Sequence, residues 1–211
     1  MERQLPKKLN KYLIIFLTTI CILCIWIISF QIYNHRKNMQ FNENIVREAL
    51  AKQLNKNSKD INSSDYINVK ELSLKKSKIT NLKPLEKLIN LQSLNLIEIQ
   101  PTSLKPLAKL TELQQLTLAG IGAQYVKKSK LNTVLEKLHL IDASRKNIIN
   151  ISPIKNLTKL RTLNLYDINI KSLKPLESLI NLQALNLWRL NFARKDELDI
   201  KSLASLTNPS G

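Results

Sequence analysis

Glycine is nearly missing from this chain: three residues in 211, Gly120, Gly122 and Gly211. A loop that cradles phosphate on successive backbone amides needs glycines close together, so no such loop can be drawn. Cysteine is as scarce. Cys21 and Cys24 both fall in one apolar run near the N-terminus, so the remainder holds neither a disulfide framework nor a thiolate metal site. Histidine occurs twice. His35 sits with Arg36 and Lys37 just past the apolar run, and His139 lies between Leu138 and Leu140 with no acid and nucleophile at a recognisable spacing. Catalysis requires converging polar groups and a metal requires clustered ligands. The sequence offers neither, so no catalytic residue, no cofactor and no metal are expected.

Acidic residues are also few, 16 against 33 Lys and Arg, leaving a net charge of +17. Such an excess often serves nucleic acid or anionic lipid. Here the lysines are spread through the whole chain among many Asn and Ile residues, a composition bias more than a patch. Nucleic acid is not an expected partner.

What is present begins with Tyr12–Tyr33, 22 residues without one charge. As a helix this run is about 33 Å long, enough for a bilayer core. In lipid the backbone can be satisfied only internally, which makes helix the state to expect. Tyr12 and Tyr33 flank it as interfacial aromatics, while Trp26 lies deeper. A cleaved signal peptide is the alternative. Against it stand the length of the run and the lack of a small-x-small site after it. Ile20 and Leu23 precede the two cysteines, where a lipoprotein signal would carry a small residue. We therefore expect an uncleaved signal-anchor. Four Lys and Arg precede it and a similar number follow, so the charge rule is nearly tied. The short N-terminal arm is the easier side to retain, which puts the repeat domain outside the cytoplasm. A cysteine-free exported domain suggests a bacterial protein.

Beyond the anchor the chain repeats. Leu-x-Leu pairs begin at Leu72, Leu94, Leu116, Leu138, Leu163 and Leu185, at intervals of 22, 22, 22, 25 and 22 residues. Pro84 to Pro106 and Pro153 to Pro175 are again 22 apart, and the 47 between Pro106 and Pro153 equals 22 plus 25. Each Leu-x-Leu reads as a short strand with both leucines on one side. One repeat cannot bury its leucines alone, so six stacked parallel strands would share one core. Leucines three apart (Leu85, Leu88, Leu91) fit tight helical turns, and proline at their start needs no donor. Phe41, Ile45, Ala49, Leu50 and Leu54 form an apolar stripe able to close the first end.

These repeats, clearest in LSLKKSKITNLKPLEKLINLQS from Leu72 and LNLYDINIKSLKPLESLINLQA from Leu163, resemble the bacterial leucine-rich repeat in its internalin-like, 22-residue form. The stretch from Phe41 to the first strand is similar to the N-terminal cap of that family. The resemblance implies an α/β leucine-rich-repeat solenoid, with parallel strands on the concave face, short 3-10 or helical turns on the convex face and a helical cap. Expected boundaries are a basic arm at 1–11, the transmembrane helix at 12–33, a juxtamembrane segment and cap at 34–68, about six repeats at 69–207 and a tail at 208–211. The sequence departs from the family where an asparagine ladder should follow each strand. That column reads Ser77, Ile99, Ile121, Ala143, Ile168 and Leu190. Repeats three and four are irregular, and the chain shows no obvious C-terminal cap.

One column does suggest function. The residue after each Leu-x-Leu reads Lys75, Ile97, Ala119, Ile141, Tyr166 and Trp188, and the next column adds Glu98, Asp142, Asp167 and Arg189. Apolar and aromatic residues rimmed by charge are the composition of a protein-binding hot spot. The alternative is that these side chains pack on each other or on the membrane-proximal segment. The expected protein-binding residues are Ile97, Ile141, Tyr166, Trp188, Asp142, Asp167 and Arg189, serving non-catalytic protein–protein recognition at a bacterial envelope. Two rivals are a structural or regulatory subunit docked permanently on another envelope protein, and a remnant of a longer repeat protein.

Overall fold

The computed structural model describes residues 7–121, 148–192 and 203. The chain divides into two units, Met1–Phe41 and Asn42–Gly211. Helix α1, Lys7–Leu54, contributes to both. No glycine or proline interrupts those 48 residues, so nothing in the chain breaks the i→i−4 ladder. In the first unit Phe16, Ile20, Ile22, Trp26 and Phe30 are all exposed. Among the described residues this is the one helix long and apolar enough to cross a membrane. It stops at Leu54. Asn55 there takes a left-handed φ of 51°, and the Lys56 N–H returns to the Ala51 carbonyl at 2.9 Å, closing the last turn.

The second unit opens with the end of α1. Val46, Leu50 and Ala51 are buried, with Ile45, Ala49 and Leu54 packed beside them. Phe41, read from sequence as part of this stripe, is 48% exposed, and Asn42 is the fully buried position instead. The polar residue is there because it is used. Its Oδ1 accepts from the Thr80 and Asn81 N–H groups at 2.8 and 3.0 Å, satisfying part-buried turn backbone beside the core. Helix α2, Ser63–Asn68, follows with reciprocal capping. Asn62 Oδ1 accepts from Ser64 and Asp65 N–H, and Asp65 Oδ2 accepts from Asn62 N–H at 3.0 Å. Lys56 Nζ bonds Asp65 Oδ1 at 2.6 Å. That bond, with the Asn62 backbone bond, holds the Asp65 carboxyl below its ordinary pKa.

Five strands then form one parallel sheet: β1 (Glu71–Lys75), β2 (Ser93–Ile97), β3 (Gln115–Ala119), β5 (Thr162–Tyr166) and β7 (Ala184–Trp188). The paired leucines are in register, Leu72, Leu94, Leu116, Leu163 and Leu185. In β1, β2, β3 and β5 both leucines of the pair are buried. Three two-residue strands, β4 (Ile148–Ile149), β6 (Asn169–Ile170) and β8 (Asn191–Phe192), make a second parallel sheet. Between the sheets each coil turns through a five-residue 3-10 helix, such as Lys83–Lys87 or Lys174–Ser178. The leucines three apart carry its hydrogen bonds: Leu85, Leu88 and Leu91 each donate to the leucine three before, at 2.9 to 3.0 Å. This unit is a leucine-rich-repeat solenoid.

One expectation fails here. Strand β3 pairs directly with β5, Gln115 opposite Thr162 and Ala119 opposite Tyr166, so no strand at Leu138–Leu140 stands between them. The 47 residues from Leu116 to Leu163 therefore span one step of the sheet, where the sequence had suggested two.

The missing asparagine ladder is also explained. Its column holds buried Ile99, Ile121 and Ile168, which extend the core. The backbone is satisfied elsewhere. The residue after each strand, Lys76, Glu98, Gly120, Asp167 or Arg189, is left-handed with φ between 52° and 60°. The first four donate their N–H to the next strand at 2.8 to 2.9 Å. A second ladder stands before each 3-10 turn. Asn81, Ser103, Asn150 and Ser172 accept from the N–H two residues on, at 2.9 to 3.1 Å.

Candidate functional site

Because strand side chains alternate, burying both leucines of each pair pushes the flanking residues out onto the other face of the sheet. The central outward column is Ser73, Asn95, Thr117, Asn164 and Asn186. It is internally bonded: Asn186 Nδ2 donates to Asn164 Oδ1 at 2.7 Å, and Asn164 Nδ2 donates to Thr117 Oγ1 at 3.0 Å. The next outward column is Lys75, Ile97, Ala119, Tyr166 and Trp188, paired in that order. Ile97 and Tyr166 are half-buried, while Trp188 is 67% exposed.

Three of the expected residues therefore share one strip. Tyr166 and Trp188 meet edge to face, ring centroids 6.5 Å apart and planes at 80°. The Tyr166 hydroxyl reaches Asn164 Oδ1 at 3.4 Å, tying the aromatic pair to the amide column. Ile97 is separated from this pair by Ala119. Asp167 and Arg189 occupy the adjoining left-handed column and form an ion pair at 3.7 Å. Lys76 and Glu98 form the equivalent pair, also at 3.7 Å. The charged rim is thus matched pairwise, each pair exposed enough to contribute little to stability.

Ile141 and Asp142, expected in the same two columns, lie outside the described residues, as does His139. The direct β3–β5 pairing corrects their placement between Ala119 and Tyr166. Sequence reading also missed the amide and hydroxyl column as part of the site. Its signal was present, since Asn95, Thr117, Asn164 and Asn186 recur at the centre of the Leu-x-Leu pairs.

The electrostatics of the face follow from where the lysines went. Of the fifteen outward strand positions in β1, β2, β3, β5 and β7, Glu71 and Lys75 are charged, and both are on β1. Lysines instead occupy the 3-10 turns, at Lys83, Lys87, Lys105, Lys109, Lys155 and Lys174. Several are engaged there, Lys109 with Glu86 at 2.6 Å and Lys87 with Glu43 at 2.8 Å. A strongly basic chain thereby presents a nearly uncharged sheet face of amides, hydroxyls and aromatic rings. Among the described residues no group of three or more His, Cys, Asp or Glu is placed to hold a metal.

Solved structures similar to this chain include internalin C2 of Listeria monocytogenes strain 4b F2365. It is 25% identical, with 77% of this chain and 69% of that chain covered, at a TM-score of 0.45. Internalin F of the same strain is 23% identical, with 77% of this chain and 53% of that chain covered, at a TM-score of 0.46. No protein-family model and no curated protein matches the chain. The strand register and the 22-residue spacing, rather than these likenesses, define the coil.

Proposed function

We propose that the protein is a non-catalytic recognition module that binds a protein partner on the sheet face. Its anchor is the apolar helix at Tyr12–Tyr33, and its repeats stand outside the cytoplasm. The observation that carries this reading is the Tyr166–Trp188 pair, two large rings held edge to face on a rigid sheet with Trp188 open to solvent. Such rings supply contact area with few rotors to freeze and dominate interface energetics. Ile97 extends the strip, and the Asp167–Arg189 pair borders it. Rim charges of this kind tune the association rate more than the affinity. The anchor reading rests on an exposed apolar helix of membrane length, for which the lipid core is the favourable environment.

The test is a pull-down from envelope extract with the full chain, followed by quantitative binding to whichever partner is captured. Trp188→Ala and Tyr166→Ala should each weaken that binding by about 2 kcal/mol or more while the melting temperature holds. Normal binding by both variants would place the partner elsewhere on the molecule. The protein isolated from the membrane fraction should itself keep its N-terminus, and a mature form that begins beyond residue 30 would refute the anchor.

A further inference from the structure

A cleft lies far from the aromatic strip in the coil order, where the cap meets the Lys83–Lys87 turn. Its volume is about 400 Å³, and Glu43, Arg47, Tyr66, Ile67, Lys87 and Ile89 line it. Three features set it apart. First, the Glu43 carboxylate is already used: Tyr66 Oη donates to it at 2.7 Å and Lys87 Nζ at 2.8 Å. Lys87 also stands 5.1 Å from the Tyr66 ring centroid, a cation over an aromatic face. Second, Arg47 is half-buried and its buried Nε–H has no acceptor; the side-chain hydrogen bond it shares with Tyr66 supplies no countercharge. Two cations against one anion leave the cleft one positive charge in excess. Third, Ile67 and Ile89 are 43% and 50% exposed along the same cleft, so apolar surface adjoins the unmatched cation.

We infer that this cleft binds an aliphatic carboxylate, the acid received by Arg47 and the hydrocarbon laid on Ile67 and Ile89. A guanidinium accepts a carboxylate through parallel N–H bonds, and a modest rotation of the side chain would bring Nε–H into that pair. Glu43 does not repel the ligand because Lys87 and Tyr66 already neutralise and solvate it. A phosphate would satisfy Arg47 but leave both isoleucines in water. A plain hydrocarbon would cover the isoleucines and leave the guanidinium without a countercharge. The site is independent of the aromatic strip, and neither depends on the other being correct.

Ligand-observed saturation-transfer NMR on the full chain in detergent micelles tests it with three probes: N-acetyl-leucine, its uncharged amide and hexanoate. At least one acid should bind saturably with a Kd below about 10 mM, and the amide should bind about tenfold more weakly than N-acetyl-leucine if that is the acid bound. Arg47→Gln should cost the bound acid a similar factor, about tenfold. Ile89→Asn, a change at an exposed position, should weaken the same acid without disturbing the fold. Preference for N-acetyl-leucine would assign the site to a peptide C-terminus, and preference for hexanoate to a free fatty acid. Equal binding of acid and amide, unchanged binding by the folded variants, or no saturable binding by either acid would overturn the inference.

Discussion

Asn42 shows how much one side chain can decide. It is fully buried at the head of the solenoid, and its carbonyl oxygen takes two backbone N–H groups, those of Thr80 and Asn81. Leaving buried donors unmet costs roughly 1–3 kcal/mol. Asn42→Ala should therefore lower the unfolding free energy by about 2 kcal/mol, with both donors left without their acceptor. Denaturant titration of the repeat unit checks this, and a loss under about half a kcal/mol would mean solvent reaches Thr80 and Asn81. An apolar-stripe rule passes over such a residue because it scores asparagine as surface. The residue scale also explains the strip. Trp188 and Tyr166 could be placed by counting from the leucines, since strand alternation leaves no other face for them. Their edge-to-face contact could not be counted, because it depends on β5 and β7 being neighbours.

At the scale of elements, the regular coils were readable and the irregular one was not. Leu72, Leu94 and Leu116 fall in one register because two equal intervals permit a single alignment. Between Leu116 and Leu163 the spacing admits two, and a chance Leu-His-Leu at 138–140 favours the wrong one. The turn ladder was overlooked for a different reason. Asn81, Ser103 and Ser172 stand four residues beyond the column in which the repeat type leads the eye to expect an asparagine, and Asn150 follows the irregular stretch. The cap helix α2 carries a pH signature of its own. Burial and the bond to Glu43 raise the Tyr66 phenol from 10.0 to about 12. A group whose folded pKa is raised stabilises fully below its unfolded value and loses that contribution as pH climbs through the folded one. The loss should therefore run from about pH 10 to about pH 12, and Tyr66→Phe should remove it. Asp65, held low by Lys56 and Asn62, acts in the opposite direction. Its contribution is present above the ordinary carboxylate range and is lost as pH falls through the depressed value. Stability measured by denaturant across both ranges, with Asp65→Asn beside Tyr66→Phe, separates the two arms.

At the scale of the whole molecule, the pairing of β3 with β5 makes a strong claim about what can be removed. Joining Gly122 directly to Ile148 deletes 25 residues and restores the 22-residue spacing from Leu116 to Leu163. Ile121 then precedes the Asn150 cap at the same distance as Ile99 precedes Ser103. The shortened protein should fold cooperatively, with a far-UV spectrum of the same strand character and stability within about 1 kcal/mol, since a shorter loop costs little to close. Collapse of the melting transition would show that the extra residues hold the solenoid together. The two units also carry natural spectroscopic labels. The chain has two tryptophans, Trp26 stacked on Phe30 in the apolar helix and Trp188 on the open sheet face. With the helix in lipid as proposed, brominated acyl chains would darken the first and aqueous iodide the second, so one emission spectrum divides into a lipid-quenched part and a water-quenched part. Shielding of the iodide-sensitive part on adding a partner would report occupancy of the strip without any dye.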